Sequence, residues 1–217
     1  MVESLRQLGD SDRAQTGGMD SQTIAAYDAD AAAYADEWEQ EQDAPTDLYA
    51  LLSEHFTPGS TADVGCGSGR DSAWLSMHGF PTTGFDASQG LLSQARRRHP
   101  EVNFECRLLP GLDGVMNASF TNVLCETVIM HLPDAEVGPS IARMLSLLIP
   151  TGTLFLSWRV TQGSDRRDDA GRLYAAFDGS AVITALAGAE VLLDEEVVNA
   201  SSGKVVRRVI ARVKGTV

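Results

Sequence analysis

The amino-terminal quarter of the chain contains one strongly amphipathic segment. Residues 1–20 hold only scattered apolar positions, so we expect a flexible tail, because too little surface can be buried to offset the entropy of ordering. From Ser21 the apolar side chains recur every three or four residues, which predicts a helix with an aromatic face. That face consists of Ile24, Tyr27, Ala31, Tyr34 and Trp38. A second helix is predicted from Pro45 to Phe56, which makes residues 21–56 a helical cap.

The rest of the chain, residues 57–217, alternates short apolar runs with helical patterns. The predicted strands are 61–64, 80–85, 102–106, 120–126 and 153–158, and the predicted helices are 70–78, 89–99 and one that Asp134 can cap and that ends before Pro150. Strands and helices that alternate at this spacing form a parallel sheet covered on both faces. Two β-rich runs, 190–199 and 204–213, are joined by Ser201-Ser202-Gly203, which predicts a terminal hairpin. The sequence therefore predicts an α/β domain after the cap.

Composition and charge restrict the class of protein. With 217 residues, 43% of them hydrophobic, the chain can form one sizeable core. A formal net charge of −13 argues against a nucleic-acid partner. No apolar run is long enough for a secretion signal or a membrane span, and the three cysteines lack C-x-x-C spacing. We therefore expect a reduced, cytoplasmic protein without a metal or membrane association, as a monomer or homodimer.

A glycine-rich loop joins the first predicted strand to the helix that follows it. The glycines Gly65, Gly67 and Gly69 allow a sharp turn and a close approach to a ligand, whose carboxylate or phosphate can be held by backbone N–H groups. A dinucleotide fingerprint would need a glycine where Arg70 stands, and a P-loop would need a lysine, which first occurs at Lys204. The glycine spacing therefore disfavours a nicotinamide-dependent oxidoreductase, and the missing lysine disfavours a phosphate-binding P-loop.

An acidic residue ends the second predicted strand. Asp86 lies 17 residues beyond Gly69, where a carboxylate can accept hydrogen bonds from the ribose hydroxyls of a nucleoside. The alternative is that Asp86 caps the next helix, which Ser88 could also do. The loop and the acid together favour a nucleoside site.

Four segments together resemble the class I S-adenosylmethionine-dependent methyltransferases: residues 63–71, 84–88, 123–133 and 148–155. The likeness covers roughly residues 24–213 and is nearest to the small bacterial members with a tellurite-resistance type of minimal domain. It implies a Rossmann-like, doubly wound sheet of seven strands in the order 3-2-1-4-5-7-6, with the last strand antiparallel. It also implies S-adenosyl-L-methionine as cofactor, S-adenosyl-L-homocysteine as product and a small-molecule acceptor.

The resemblance also implies a set of cofactor-binding residues. The loop from Gly65 to Gly69 would cradle the methionine part, and Asp86 would hold the ribose. Where many relatives have an acid near the adenine, this chain has Cys106-Arg107-Leu108, so either Arg107 stacks on the ring or the backbone of Leu108 supplies polar contacts. The full expected set is Gly65, Cys66, Gly67, Gly69, Arg70, Asp86, Ala87, Arg107, Leu108 and Cys125.

Two residues near the fourth strand are candidates for catalysis, because a hydroxyl or ammonium acceptor must lose a proton. His131 could be the general base, or it could anchor a loop by a hydrogen bond. Glu126 could orient an amine acceptor, contact the cofactor or form a salt bridge at the strand end. Expected substrate-binding residues are Arg159, Arg172 and Tyr174, with Arg166 and Arg167 in the same loop, which together could hold an anionic acceptor.

The aromatic face of the cap has two interpretations. Tyr27, Tyr34 and Trp38 could cover the active site as substrate-binding residues, or they could pack the helix against the sheet edge. The function favoured by the sequence is a methyltransferase acting on the oxygen, nitrogen or sulfur of a small molecule. A non-catalytic binding module of the same fold is the alternative, because Arg107, Thr121 and Thr151 depart from the family pattern.

Overall fold

The computed structural model describes residues 18–199 and 203–215. Most of the predicted tail and the predicted turn at Ser201-Ser202 lie outside this part of the chain. The helices are α1 (Ser21–Ala29), α2 (Ala31–Asp36), α3 (Thr46–His55), α4 (Arg70–Met77), α5 (Gln89–Arg98), α6 (Asp134–Leu147) and α7 (Gly179–Ala185), with a π-helical turn at Glu37–Glu41 and a 3-10 turn at Ile129–His131. The strands are β1 (Thr61–Val64), β2 (Thr82–Asp86), β3 (Asn103–Cys106), β4 (Phe120–Cys125), β5 (Leu148–Arg159), β6 (Arg166–Arg167), β7 (Leu173–Tyr174), β8 (Ala189–Val198) and β9 (Val205–Val213).

The main sheet has seven strands in the order β3-β2-β1-β4-β5-β9-β8. Strands β1 to β5 run parallel, and β9 is antiparallel to both β5 and β8. Because β6 and β7 form a separate two-stranded sheet, β8 and β9 are the sixth and seventh strands of the main sheet. The order 3-2-1-4-5-7-6 with an antiparallel last strand is therefore confirmed.

Both faces of the sheet are covered, which explains why the central strands read as continuous apolar runs. On one face Val123 and Leu154 pack in a cluster with Ile141 of α6. On the other face Leu124 and Phe155 pack in a cluster with leucines of α3 and α4. Neighbouring residues of one strand thus belong to opposite cores, as the pleat requires.

The first predicted helix of the cap is divided in two, because it is interrupted at Asp30. The second predicted helix of the cap is present as α3. The acids of the cap hold it against α5. The Asp28 carboxylate accepts from the Ser88 hydroxyl at 2.6 Å and from the Gly90 N–H at 2.8 Å. Further along, Asp36 pairs with Arg98 at 2.6 Å. The cap is therefore docked on the side of the domain that carries the glycine loop.

Three local expectations need correction. The tail cannot extend to residue 20, because Asp20 caps α1 by accepting from the Thr23 N–H at 2.8 Å and pairs with Arg167 at 2.8 Å. Asp134 is the first residue of α6 and makes no side-chain cap, since Pro133 occupies the capping position. The β6–β7 hairpin and α7 were not predicted, because elements this short show no periodicity.

Across residues 18–199 and 203–215, no helix has the length and apolar character needed to cross a bilayer. The same residues contain no group of three or more histidine, cysteine or acidic side chains placed to hold a metal ion.

Candidate functional site

The glycine loop lies at the carboxyl ends of β1 and β2 and has three left-handed residues. The φ angles are 79° at Gly65, 55° at Gly67 and 91° at Gly69. A Cβ at Gly65 would collide with the side chain of Val128, whereas a Cβ at Gly67 would have no protein atom within 4 Å. The loop therefore leaves open space beside Gly67, which a ligand can approach.

Asp86 directs its carboxylate at this loop. Its oxygens accept from the N–H of Gly67 at 2.9 Å and from the N–H of Ser88 at 2.8 Å. The N-cap residue of α5 is Ser88, whose hydroxyl accepts from the Leu91 N–H at 3.0 Å. Burial raises the pKa of Asp86, and the backbone donors act in the opposite direction. Two carboxylate oxygens have about four acceptor sites, so capacity for ligand hydroxyls remains.

The first cavity lies above the loop and measures about 670 Å³. Five of the expected cofactor-binding residues line it: Gly65, Cys66, Gly67, Arg70 and Asp86. Sequence reasoning missed several others, namely Met19, Asp63, Ser68, Asp71, Leu91 and Val128. Asp63 precedes the loop in the motif itself, but its position inside a strand gave no sign that it faces a cavity.

Arg70 begins α4 and brings a guanidinium to the first cavity. Its Nε donates to Asp71 at 2.9 Å, and Asp71 also accepts from the Tyr49 hydroxyl at 2.9 Å. The guanidinium lies 4.5 Å from the ring centroid of Trp38 in the cap. Its Nη1 is buried without a hydrogen-bond partner among the described residues. A buried donor of this kind fits a ligand carboxylate.

A second cavity, of about 950 Å³, lies next to the first and shares part of its lining. The residues that line both are Tyr27, Tyr34, Trp38, Glu126 and Thr127. The aromatic face of the cap therefore covers the cavities, which was one of its two interpretations. Tyr27 and Tyr34 meet edge to face with centroids 5.0 Å apart, and Trp38 lies 5.6 Å from Tyr34. Their contact with a substrate remains a prediction.

Glu126 stands at the junction of the two cavities. It follows the last residue of β4, and the Ser157 hydroxyl of β5 donates to its Oε2. Burial raises the pKa of Glu126 to about 7, partly opposed by the Ser157 hydrogen bond. Next to it Thr127 adopts a left-handed φ of 54° and donates from its N–H to the Ser157 hydroxyl at 3.0 Å. Such a carboxyl can take up or release a proton near neutral pH.

His131 is buried and has partners at both ring nitrogens. Nδ1 lies 2.5 Å from the carbonyl oxygen of Leu173, so it must be the protonated nitrogen. Nε2 lies 3.0 Å from the Tyr27 hydroxyl, which therefore donates to it. Burial lowers the pKa of His131 to about 4, so the ring is neutral at pH 7. This geometry matches the loop-anchoring interpretation of His131, since its free lone pair is taken by Tyr27.

The expected acceptor-binding residues at the end of β5 and in the segment after it lie in three different places. Arg159, Arg172 and Tyr174 line the second cavity as expected. Arg166 lies further out, in a third cavity of about 830 Å³. Arg167 points to the cap instead, where it pairs with Asp20.

Five expected cofactor-binding residues do not line the first cavity. The Arg107 guanidinium donates to Glu105 at 2.8 Å and to the Cys106 carbonyl at 3.0 Å. Leu108 is 44% exposed, and Cys125, the last residue of β4, is fully buried in the core. A Cβ on Gly69 would lie 2.7 Å from the Phe104 side chain, so the glycine is needed here to leave room for that ring. Ala87 is likewise absent from the lining, and its carbonyl accepts from Cys106.

Comparison with known proteins agrees with the geometry. Residues 62–152 match a family model described as a methyltransferase domain. Trans-aconitate 2-methyltransferase of Sinorhizobium medicae is 35% identical over 127 residues, covering 57% of this chain and 47% of that protein. Ubiquinone biosynthesis O-methyltransferase of Coxiella burnetii is 31% identical over 99 residues, covering 44% of this chain and 41% of that protein. The match thus spans less than half of each curated relative.

One solved structure resembles nearly the whole chain. It is 1,6-didemethyltoxoflavin-N1-methyltransferase of Burkholderia thailandensis, crystallised with 1,6-didemethyltoxoflavin and S-adenosylhomocysteine. The two chains are 25% identical with a TM-score of 0.70, and the match covers 89% of this chain and 88% of the other.

The residues around the first cavity fit S-adenosylmethionine, the cofactor of these enzymes. The unpartnered Nη1 of Arg70 suits the carboxylate of a methionine, the open side of Gly67 admits a ligand, and Asp86 can accept from ribose hydroxyls. The sheet order, the loop and the family model that matches residues 62–152 lead to one conclusion: the chain is similar to the class I S-adenosylmethionine-dependent methyltransferases in its fold and in its methyltransferase-domain segment.

Proposed function

We propose that the protein transfers a methyl group from S-adenosylmethionine to a small molecule bound in the second cavity. The observation that carries this proposal is that the two cavities lie side by side and share lining residues. A nucleoside-type site with the glycine loop and Asp86 lies next to a separate space, and Glu126 and the aromatic face of the cap line both. Two neighbouring cavities suit a reaction that brings a donor and an acceptor together.

The loop, Arg70 and Asp86 would hold the cofactor. Arg70 would bind its carboxylate through Nη1, the loop would take the amino-acid part beside Gly67, and Asp86 would bind the ribose. When bound, S-adenosylmethionine supplies an electrophilic methyl group and becomes S-adenosylhomocysteine once the acceptor has taken it. The protein's main contribution is then to position the acceptor and to exclude water.

Glu126 is the proton acceptor in this proposal, in preference to His131. It lines both cavities, and its pKa of about 7 matches proton transfer near neutral pH. His131 instead fixes the hydroxyl of Tyr27 at the junction. An amine or hydroxyl acceptor would lose its proton to Glu126, whereas a thiolate would need no base.

The comparisons support a small acceptor. The relatives are named for trans-aconitate and for ubiquinone biosynthesis, and the B. thailandensis structure holds 1,6-didemethyltoxoflavin. The net charge of −13 repels nucleic acids, which agrees with a small-molecule substrate.

Titration calorimetry with S-adenosylmethionine and S-adenosylhomocysteine tests the donor half. We expect one-to-one binding, and Asp86→Ala should weaken it at least about tenfold, because hydrogen bonds to a charged acceptor are worth about 1.5–3 kcal/mol each. The exposed Glu101→Ala is the matched control and should bind as the wild type does. Equal binding by Asp86→Ala would remove Asp86 from the site.

Formation of S-adenosylhomocysteine in the presence of candidate acceptors tests the catalytic half. Donor binding without turnover of any acceptor would favour the non-catalytic module. With an acceptor that must lose a proton, turnover should rise with pH around 7, and Glu126→Gln should abolish that rise. A pH profile unchanged in Glu126→Gln would exclude Glu126 as the proton acceptor.

A further inference from the structure

Three neighbouring cavities follow one another outwards from the glycine loop, and we call this series the path. The first and second share Tyr27, Glu126 and their neighbours, and the second and third share Arg159, Tyr174 and Lys204. The shared residues set the order of the path. We call the side chains of Arg159, Arg166, Tyr174 and Lys204 the outer mouth.

The outer mouth holds three cations that form no ion pair within the part of the chain that the structure describes. Among the described residues, Arg159, Arg166 and Lys204 have no hydrogen bond or ion pair from their side chains; Arg159 lies over the ring of Tyr174, 5.2 Å from its centroid. Asp168 is the one acid in the described lining of the third cavity, and it is already bonded to Arg172 at 2.7 Å. In a chain with a net charge of −13, an uncompensated cationic cluster of this kind marks a place for an anion.

The inner end of the same path offers hydrogen-bond acceptors, whereas the outer mouth offers cationic donors. The Nδ1 of His131 donates to the Leu173 carbonyl, so Nε2 is the acceptor nitrogen. The Tyr27 hydroxyl must therefore donate its one hydrogen to Nε2. The Tyr27 oxygen can therefore accept further hydrogen bonds but not donate one, and Arg172 and the Tyr34 hydroxyl are donors that already lie beside it. The Ser157 hydroxyl donates to Oε2 of Glu126, which leaves Oε1 as a second acceptor at this end. When Glu126 is ionised, a ligand group lying here must bring donor hydrogens.

We propose that the acceptor is a small carboxylic acid bound with its carboxylate at the outer mouth and an N–H or O–H group at Glu126 and Tyr27. This inference rests on the proposed function and adds the substrate class and its orientation. Arg159 provides the charge-assisted hydrogen bonds, Lys204 and Arg166 add attraction at the surface, and Tyr174 lies beside them as an apolar wall. The acidic chain as a whole would repel a highly charged polyanion much more strongly than a single carboxylate, because the repulsion grows with the charge of the ligand.

The test compares 4-hydroxybenzoate with its neutral methyl ester, because the two probes share the hydroxyl and the ring and differ in the anion. Calorimetric titrations use the full chain saturated with S-adenosylhomocysteine. We expect the acid to bind about tenfold more tightly than the ester, the difference expected for a charge-assisted hydrogen bond. Arg159→Gln should remove this preference, and Lys204→Gln should reduce it. Arg97→Gln, on the exposed side of α5, is the control and should keep it.

Three outcomes would overturn the inference. These are equal binding of acid and ester by the wild type, an undiminished preference in Arg159→Gln, and no binding of the acid to protein that binds S-adenosylhomocysteine. Failure of the proposed function is a separate result, since it would appear as a lack of S-adenosylhomocysteine binding before either probe is added.

Discussion

The hydroxyl of Tyr27 in α1 donates to Nε2 of His131 across 3.0 Å. The opposite nitrogen of His131 donates to the Leu173 carbonyl, and the Leu173 N–H donates to the Thr23 hydroxyl at 2.8 Å, back on α1. The hydrogen bonds thus form a closed ring between the cap and the β6–β7 hairpin. A buried ring of this kind fixes where the cap lies over the two cavities.

Tyr27→Phe should destabilise the protein. It leaves the buried Nε2 of His131 without a donor, which costs about 1–3 kcal/mol. Tyr174→Phe is the matched control, because among the described residues the Tyr174 hydroxyl has no hydrogen bond and its ring also contacts His131. Urea unfolding measures the difference, and hydrogen exchange should show faster exchange in α1 for Tyr27→Phe alone. Equal unfolding free energies for the two variants would mean that the ring adds no stability.

The free energy of unfolding should fall as pH rises, because the buried Asp63 carboxyl must lose its proton. Burial, with the nearby Asp71 adding to it, raises its pKa from 3.8 to about 8. Between those values the folded protein binds a proton that the unfolded chain has released, so the stabilisation is full below about pH 4 and is lost as pH approaches 8. The loss is at most about 1.4 kcal/mol per pH unit.

Asp63→Asn should remove this dependence, because an amide oxygen can still accept from the Ser72 hydroxyl, which lies 2.5 Å from the carboxylate. Unfolding free energies at pH 5 and pH 8 should therefore diverge less in the variant than in the wild type. The exposed Asp113→Asn serves as control. If Asp63→Asn and the wild type lose stability in parallel, Asp63 ionises in the folded state at an ordinary pH.

Asp20→Ala should cost about 1 kcal/mol at pH 7, the usual value of a helix N-cap. The Arg167 hydrogen bond is the main cause that lowers the pKa of Asp20 from 3.8 to about 2. The stabilisation is thus present above about pH 4 and is lost as pH falls through 2, so the two proteins should converge in acid. Asp30→Ala is the control, because Asp30 precedes α2 without a side-chain cap. Chemical unfolding at several pH values gives the comparison.

The sequence predicted the sheet well and the side-chain directions poorly. Strand β1 begins and ends where the pattern placed it, because a strand buried on both faces is a continuous apolar run between turn residues. A continuous apolar run does not show which way each side chain points. Cys125 belongs to the core, while the next residue, Glu126, lines the cavities. The ring through Tyr27 and His131 joins residues 104 positions apart, which no local pattern records.

Backbone demands also limited the sequence prediction of the site. Gly65, Gly67 and Gly69 look alike in the motif, and all three have positive φ. Only the packed structure separates them, because the space beside each depends on residues far along the chain, such as Val128 and Phe104. The loop was therefore identified correctly as a turn, whereas the role of each glycine required the fold.

Gly65→Ala and Gly67→Ala should separate folding from binding. At Gly65 the new methyl group would collide with Val128, so the variant should be strongly destabilised. At Gly67 the φ of 55° is accessible to alanine and no protein atom lies within 4 Å, so the cost should be about 1–2 kcal/mol. The methyl group at Gly67 would instead take up space in the first cavity that the cofactor needs.

We therefore expect Gly67→Ala to remain folded and to bind S-adenosylhomocysteine at least tenfold more weakly, in line with a loss of about 1.4 kcal/mol or more. Urea unfolding and calorimetry on the same preparations measure the two effects. Wild-type affinity in Gly67→Ala would show that the bound cofactor does not approach this side of the loop. The Gly67 N–H would then act only through its hydrogen bond to Asp86, and the carboxylate of Asp86, not the open space, would define the site.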